Sequence, residues 1–247
     1  MKSDSPFYEN TIKALKQSEL FSGLKEAVIQ DMLLMFRRQT WLRKSIVMQP
    51  EETVKEFFVI ISGRAKVSRI NPDTGKEFIL FLLGPGDGFD IIPLLNGKEH
   101  NVSFVAMDDL EALSAPFTTV HDWIERHPEF NRAFLPYLGK QIRLISNLAF
   151  DLALHDTGTR LMKLFLQHTV HDNPYPSLKL INDLSNEKLA SMIGSVRVVV
   201  NRFLQKLKEE GIIDAHRGSL EIRDLQALVQ KIELHVGLST RNKKNTN

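Results

Sequence analysis

The sequence predicts an α+β protein with an N-terminal double-stranded β-helix, or jelly roll, one long helix, and a C-terminal winged helix-turn-helix. Short β-rich runs separated by glycine and proline fill residues 41–116, which is typical of a barrel or roll. Apolar residues then recur at helical spacing over 128–155. Finally, residues 185–222 give a helix, a glycine turn, a second helix and a hairpin.

The composition is typical of a soluble globular protein, with 43% hydrophobic and 25% charged residues among 247. No apolar run approaches the roughly 20 residues needed to cross a bilayer, and the N-terminus lacks the apolar core of a signal peptide. We therefore expect a cytoplasmic protein without a membrane partner. Cysteine is absent, which excludes disulfides, thiolate catalysis and cysteine-ligated zinc or iron-sulfur clusters.

The N-terminal half begins with helices and continues with strands. Apolar residues recur at helical spacing from 10 to 36 and are interrupted at Ser22-Gly23, which predicts two short helices. Strands are predicted in the runs FFVIISGRAKVSRI, EFILFLLGPGD, NVSFVAM and LEALSAP. Residues 71–75 and 84–88 supply tight turns between them.

A long helix is predicted from Pro128 to about His155, after a shorter one over Phe117–Arg126. Six of its side chains follow steps of 4, 3, 4, 3 and 4, the spacing of a coiled-coil seam, which needs a partner helix. We therefore expect a homodimer, with one polar residue in the seam setting the register. The predicted dimer interface comprises Phe134, Leu138, the polar Gln141, Ile145, Leu148 and Leu152.

The next segment is predicted to be an interdomain hinge. Asp156-Thr157-Gly158-Thr159 interrupts the long helix and can cap a following one over Arg160 to His171. Residues 173–176 contain two prolines and are expected to form a loop.

Two helices around Gly194 form the predicted helix-turn-helix. Ser185 is expected to cap the first, and Ser195 the second, which spans Val196 to Glu210. Helical spacing directs one apolar stripe of the second helix inward and its polar side outward. The predicted inward stripe comprises Val199, Val200, Phe203, Leu204 and Leu207.

The outward side of this second helix has the residue types that read base edges. Arg197 lies near its N-terminus with a guanidinium fork suited to guanine O6 and N7, and Asn201 and Arg202 follow one turn later. The run IIDAHRGSLEI predicts a hairpin, or wing, whose tip Arg217 would contact phosphate. The predicted DNA-binding residues are Ser195, Arg197, Val198, Asn201, Arg202 and Arg217.

Over nearly the whole chain, these segments resemble the Crp-Fnr superfamily of bacterial transcription regulators. The resemblance rests on LFSGL, FFVIISGRAKV, GKEFILFLLGPGDGF, the long helix, the DTGTR hinge and LSNEKLASMIGSVRVVVNRFLQKLKEEGII. It implies a β-roll effector domain at 1–127, a dimerisation helix at 128–155, a winged helix-turn-helix at 156–235 and a basic tail at 236–247. It also implies a homodimer on inverted-repeat double-stranded DNA, an effector in the roll and, for an activator, contact with RNA polymerase.

The recognition motif departs from the family pattern at one position. The family places an Arg, commonly a Glu, and a second Arg five positions after the first. Arg197 and Arg202 match the two arginines, whereas Val198 occupies the Glu position. The substitution removes an acceptor for the cytosine amino group, and a valine can instead meet a thymine methyl.

The glycine-rich loop 84–88 departs from the cyclic AMP pattern of the family. Members that bind cyclic AMP carry a Gly-Glu pair for the ribose and an Arg-Ser pair for the cyclic phosphate. Here Asp90 and Ile91 align with the first pair, and Asn101 and Val102 with the second. All four residues differ, and Asp90 adds a negative charge where a phosphate would lie. The resemblance therefore predicts an effector other than cyclic AMP.

Three alternatives for sensing remain open: an apolar organic effector, haem, and no effector. Haem would require an axial histidine, for which His100 is the leading candidate; no other cofactor and no metal site is predicted. The predicted effector-pocket residues are Phe89, Asp90, Ile91, Asn101, Val102, Gln141, Ile145 and Ser146.

Two further functional classes are disfavoured by the sequence. A regulatory module that uses the roll without contacting DNA is disfavoured by Arg197 and Arg202. The sequence lacks a nucleophile elbow, a Walker loop, an HExxH motif and a convincing carboxylate pair, so we expect no enzyme activity.

Overall fold

A computed structural model describes residues 6–49, 55–171, 176–216 and 218–237. The chain divides into two compact units, Met1–Leu144 and Ile145–Asn247. Arg217 and the predicted basic tail beyond Gly237 lie outside the described residues. Within the described ranges, no helix has the length and apolar character needed to span a membrane.

Helices flank the strands of the first unit, and the two N-terminal ones have the predicted break between them. A short 3-10 turn at Pro128–Phe130 precedes the long helix, which continues into the second unit. The helices are α1 (Pro6–Gln17), α2 (Glu26–Met35), α3 (Ile91–Asn96), α4 (Phe117–Arg126) and α5 (Asn131–Leu154).

The strands of the first unit form two four-stranded antiparallel sheets, in the orders β1-β8-β3-β6 and β2-β7-β4-β5. Apolar side chains from both sheets pack together in one core, as in a jelly roll. The strands are β1 (Arg37–Trp41), β2 (Ile46–Met48), β3 (Glu56–Ser62), β4 (Ala65–Ile70), β5 (Glu77–Leu83), β6 (Gly88–Phe89), β7 (Ser103–Ala106) and β8 (Leu110–Pro116).

Strand β3 is buried on both faces, which explains its uninterrupted apolar sequence. Phe57, Val59 and Ile61 join a core with residues of α1, α2, α4 and α5. Phe58 and Ile60, which alternate with them, join the core inside the roll. Because successive side chains of a strand point to opposite faces, a strand covered on both sides needs apolar residues at every position.

The second unit contains the end of α5 and the helix-turn-helix. Asp156 caps α6, where its carboxylate accepts the Thr159 N–H at 2.8 Å. The wing strands β11 and β12 pair antiparallel, as the hairpin prediction requires. The remaining elements are α6 (Thr157–Gln167), β9 (Thr169–His171), β10 (Pro176–Leu178), α7 (Asn186–Met192), α8 (Arg197–Glu209), β11 (Ile213–His216), β12 (Ser219–Ile222) and α9 (Leu225–Val236).

One local prediction is wrong. The helix expected over Arg160 to His171 ends at Gln167, because the following Thr169 and Val170 are β-branched residues that pair in β9 against β10. Helix α3 follows Phe89 directly and is capped where Asp90 accepts the Ile92 N–H at 3.3 Å.

The histidine that ends α6 has a perturbed pKa. Burial lowers the pKa of the His168 imidazole from 6.5 to about 4, and a hydrogen bond with the Lys179 backbone opposes this shift. Because the folded pKa is depressed, the unfolded chain binds more protons between pH 6.5 and 4. Stability from this group is complete above pH 6.5 and is lost as the pH falls towards 4.

We expect His168→Gln to flatten this part of the pH dependence. Between pH 7.5 and 5, the wild-type protein should lose up to about 2 kcal/mol of unfolding free energy that the variant retains, because glutamine does not titrate. Urea denaturation at both pH values measures the difference. Parallel losses in the two proteins would contradict the assignment of this loss to His168.

Candidate nucleic-acid interface and effector site

The packing of α7 and α8 produces the candidate DNA surface. Ser185 caps α7 by accepting the Lys188 N–H at 3.3 Å, and Gly194 forms the turn with φ of +64°. That φ lies in the left-handed region, which glycine adopts without steric cost. In α8, Val200, Leu204 and Leu207 are 0–5% exposed and hold the helix against its unit.

The predicted base-reading residues share the opposite side of α8. Arg197, Val198, Asn201 and Arg202 are all exposed, with Val198 78% accessible to solvent. Arg197 and Asn201 are four residues apart and therefore lie on the same helix face. The structure brings these four side chains together on one solvent-facing surface.

The predicted cap of α8 is wrong. Ser195 lies in the turn, where its N–H donates to the Ala190 carbonyl at 2.9 Å. The helix begins at Arg197, and Val196 occupies the N-cap position without a side-chain cap. The turn extends one residue further than the sequence pattern indicated, because Ser195 still bonds back to α7.

Gly158 allows α6 to pack closely on α8. A Cβ at this position would lie 2.4 Å from the Phe203 ring, so a larger residue would displace it. The Arg202 guanidinium lies 5.6 Å from the centroid of the same ring. The predicted hinge segment therefore contacts the recognition helix directly within the second unit.

Three basic side chains surround a carboxylate on the wing. The Asp214 carboxylate accepts a hydrogen bond from Arg223 at 2.9 Å and lies 2.8 Å from the His216 ring. The third basic side chain, Lys208, lies 3.9 Å from this carboxylate and donates to the Ala215 carbonyl at 3.1 Å. The hydrogen bond from Arg223 lowers the pKa of Asp214. These contacts tie the end of α8 to the wing.

The backbone amides of the glycine-rich loop are hydrogen-bonded within the protein. The Gly84 N–H donates to the Asp87 carboxylate at 2.9 Å, and the Gly86 N–H donates to the Ile60 carbonyl at 2.8 Å. The Asp87 N–H donates to the Gly84 carbonyl at 3.1 Å. A phosphate cradle needs such amides directed at the ligand, whereas these three are bonded within the protein.

A buried tyrosine connects this loop to α5. Tyr137 is 5% exposed, and its phenol oxygen accepts from the Gly88 N–H and the Gln141 amide. Burial raises the pKa of the Tyr137 phenol, and the nearby Asp87 carboxylate adds to the shift. The loop is also held from α1, where the Ser18 hydroxyl donates to the Gly86 carbonyl at 2.6 Å.

Asp90 is buried beside a histidine. Its side chain is 3% exposed, and one carboxylate oxygen lies 3.0 Å from Nδ1 of His100. Asp90, which aligns with the first residue of the ribose-binding pair, therefore has its carboxylate in contact with His100 inside the protein. Haem ligation by His100 stays a prediction.

Aromatic rings fill much of the roll interior. Phe89 and Phe104 have ring centroids 4.5 Å apart, and Phe58 lies 6.0 Å from Phe104. All three are at most 5% exposed, and Trp41 packs on Phe58 at 6.0 Å. Such offset and tilted contacts are favourable ring geometries, so the rings stabilise one another.

The predicted effector residues of the first unit are divided between two cores and the surface. Phe89 and Val102 belong to the roll interior, whereas Ile91 packs against the core shared with the helices. Asn101 is exposed. Gln141 is half-buried against Tyr137, and the exposed Ile145 and Ser146 belong to the second unit.

The predicted dimer seam contains two residues that face inward. Phe134 is 5% exposed and stacks on Phe130 in the core of the first unit, with ring centroids 5.1 Å apart. Gln141 is bonded to the buried Tyr137. The Phe134 ring is therefore packed in the core of its own unit, and the dimer interface as a whole stays a prediction.

Comparisons with known families match both units. A model of the cyclic nucleotide-binding domain matches residues 38–127, and a model of the Crp-like helix-turn-helix domain matches residues 159–231. The chain belongs to the Crp-Fnr superfamily. It is a DNA-binding transcription regulator, and its relatives are regulators and not enzymes. The predicted family, fold class and absence of an enzymatic role are confirmed.

Relatives of known role align over most of the chain. A CRP-like cAMP-activated global transcriptional regulator of Mycobacterium tuberculosis is 26% identical over 219 residues, covering 88% of this chain and 97% of that protein. A global nitrogen regulator of Nostoc is 29% identical over 189 residues, covering 74% and 84%. Because similarly distant relatives have different regulatory roles, similarity alone does not assign the effector.

The fold is also found in solved structures. A CooA mutant from Carboxydothermus hydrogenoformans matches with a TM-score of 0.70 at 26% identity, covering 82% of this chain and 90% of that one. A c-di-GMP responsive regulator, CLP of Xanthomonas campestris, matches at 0.68 and 18% identity, covering 81% and 100%, and this likeness concerns the fold alone.

Sequence reasoning missed two residues that touch predicted site residues. Asn186 donates to Asn201 at 3.1 Å across 15 positions of sequence, and Tyr137 contacts both the glycine loop and Gln141. No spacing rule reveals either contact, because each joins separate elements. The one available signal for the Asn186 contact was a polar residue directly after a helix cap. Such a residue is also typical of an ordinary solvated surface position.

Proposed function

We propose that the protein is a homodimeric regulator that binds inverted-repeat DNA through α8 of each protomer and responds to an effector other than cyclic AMP. The observation that carries this proposal is the exposed group formed by Arg197, Val198, Asn201 and Arg202. It lies opposite a buried stripe, on a helix preceded by a tight turn and followed by a wing, as in helix-turn-helix readers of the major groove. Action on bacterial DNA implies a cytoplasmic location.

Each exposed residue has a proposed role. Arg197, in the first turn, would pair bidentately with guanine, and Val198 would contact a thymine methyl. Asn201 and Arg202 would reach the next base or phosphate. Lys208 and Arg217 would add phosphate contacts, which position the protein without selecting a sequence.

At every second position, the proposed dimer seam uses the residue that directly follows the one predicted from the sequence. Leu135 and Ile142 are 63% and 66% exposed, whereas their neighbours Phe134 and Gln141 face inward. An apolar seam along the exposed side keeps the steps of 3 and 4 that a coiled coil requires. It comprises the exposed Leu135, Ile142, Ile145, Ala149 and Leu152 and the half-buried Leu138.

The loss of cyclic AMP recognition is supported by charge and by hydrogen bonding. The positions for a phosphate-binding arginine and serine carry Asn101 and Val102, which are exposed and buried, respectively. Asp90 supplies a buried carboxylate, which opposes a phosphate at short range. The loop amides that would face an anion are bonded to Asp87 and Ile60.

A second candidate function is DNA binding without any effector. The specific observation in its favour is the packing of Phe58, Phe89 and Phe104 inside the roll. An effector bound there would have to displace at least one ring that is already stabilised by its neighbours. An activator of either kind would also need to contact RNA polymerase.

We expect Arg197→Ala to lower binding to the specific operator by about tenfold or more, since one bidentate arginine contributes 1–3 kcal/mol of discrimination. Binding to unrelated DNA should fall far less. Fluorescence anisotropy with both DNAs measures the ratio of operator affinity to affinity for unrelated DNA. The matched control is Arg69→Ala, which removes an exposed arginine of β4. An equal loss on both DNAs would exclude Arg197 from base reading.

Ile142→Lys should weaken dimerisation, because it introduces a charge at the centre of the proposed apolar seam. The expected result is a dissociation constant raised at least about tenfold, measured by analytical ultracentrifugation. Leu34→Lys changes a similarly exposed residue, 77% accessible on α2, and should leave association unchanged. Equal behaviour of the two variants would contradict the seam.

Cyclic AMP should leave the operator affinity unchanged within about twofold, because the loop lacks free amides and a cation for the phosphate. A titration of operator binding with and without the nucleotide tests this. A tenfold gain in affinity would overturn the proposed loss of recognition.

The absorption spectrum and intact mass of the purified protein discriminate among the sensing candidates. An organic adduct would support the effector-dependent regulator, and a Soret band would instead identify haem. Full operator binding by protein that carries neither would support the effector-free candidate.

A further inference from the structure

The first residue of α7 holds a side chain of the recognition helix. Nδ2 of Asn186 donates a hydrogen bond to Oδ1 of Asn201, with 3.1 Å between the two atoms. Asn201 is exposed, and it lies on the same face of α8 as Arg197. The contact joins the two helices at the surface that reads DNA.

In this pair the accepting arm of Asn201 is its oxygen. A carboxamide has an accepting oxygen on one arm and a donating amino group on the other. Because the oxygen faces Asn186, the amino group of Asn201 is the arm left for another partner. The usual reading of adenine by asparagine needs both arms, since N6 donates to the oxygen and N7 accepts from the amino group.

We propose that Asn186 is a positioning residue that makes Asn201 a hydrogen-bond donor towards DNA and so sets the preference at one base pair of each half-site. A donor is complementary to guanine, which offers N7 and O6, and to thymine, which offers O4. Adenine offers such a donor N7 alone and places its amino group beside it, and cytosine offers only an amino group. This inference rests on the proposed use of α8 for DNA reading.

Asn186→Asp tests the inference by reversing the amide. A carboxylate at position 186 only accepts, so the Asn201 amino group turns towards it and Oδ1 turns towards DNA. Preference at one base pair should then move from guanine or thymine to adenine or cytosine, by about five- to tenfold in relative affinity. Selection from an operator library randomised through the half-site, with full-length protein, measures every position at once.

The variant is expected to fold. An aspartate in the first turn of α7 interacts favourably with the helix dipole, and thermal unfolding followed by circular dichroism checks this. Asn186→Ala provides a second variant, which frees the Asn201 oxygen and should raise the relative affinity for adenine at the same base pair.

Two controls separate this effect from a change in charge. Asn182→Asp adds the same charge in the turn before α7 and should leave every base preference unchanged. In an Asn201→Ala background, Asn186→Asp should no longer alter the preference, because the side chain that reads the base is gone. A preference change that persists without Asn201 would overturn the inference.

The outcomes distinguish this inference from the proposed function. If Arg197→Ala lowers specific binding while Asn186→Asp leaves all preferences unchanged, the positioning role fails and the α8 interface stands. A uniform loss of affinity for all sequences in Asn186→Asp would also overturn the positioning role. If Arg197→Ala has no effect either, the proposed interface itself fails.

Discussion

The burial of Val200, Leu204 and Leu207 along one side of α8 is the interaction on which the DNA-binding surface depends. Removing one buried leucine costs about 2–5 kcal/mol, whereas an exposed ion pair contributes about 0–1 kcal/mol, so the apolar stripe fixes the rotation of the helix. Once that rotation is fixed, Arg197 and Asn201 must face outward. Gly158 strengthens the arrangement by allowing Phe203 to pack closely on α6.

The roll and α5 depend on a different kind of interaction. Tyr137 joins α5 to the glycine loop through its phenol oxygen, and Ser18 holds the same loop from α1. The loop therefore contacts both α1 and α5 within the first unit. Its close turn is possible because Gly86 adopts a φ of +91°.

Much of the fold was predictable because it follows from periodicity. Short β-rich runs bounded by turn residues predicted the strands, and the Ser185 cap and Gly194 turn predicted the helix-turn-helix. The predictions failed where local and tertiary preferences competed. Phe134 fits a coiled-coil seam by spacing alone, but the core of its own unit buries it, and the C-terminal turn of the predicted 160–171 helix became β9 because a partner strand was available.

The sequence by itself determined the family and the buried and exposed sides of α8, and it predicted an effector other than cyclic AMP. These depend on residue identity and short-range spacing, which a single chain displays directly. Only the tertiary structure decided that the loop amides are bonded internally, that aromatic rings fill the roll, and that Asn186 holds Asn201. The bond from Gly86 to Ile60, the ring contacts and the Asn186 bond join residues at least 15 positions apart, and such contacts exist only after the elements have packed.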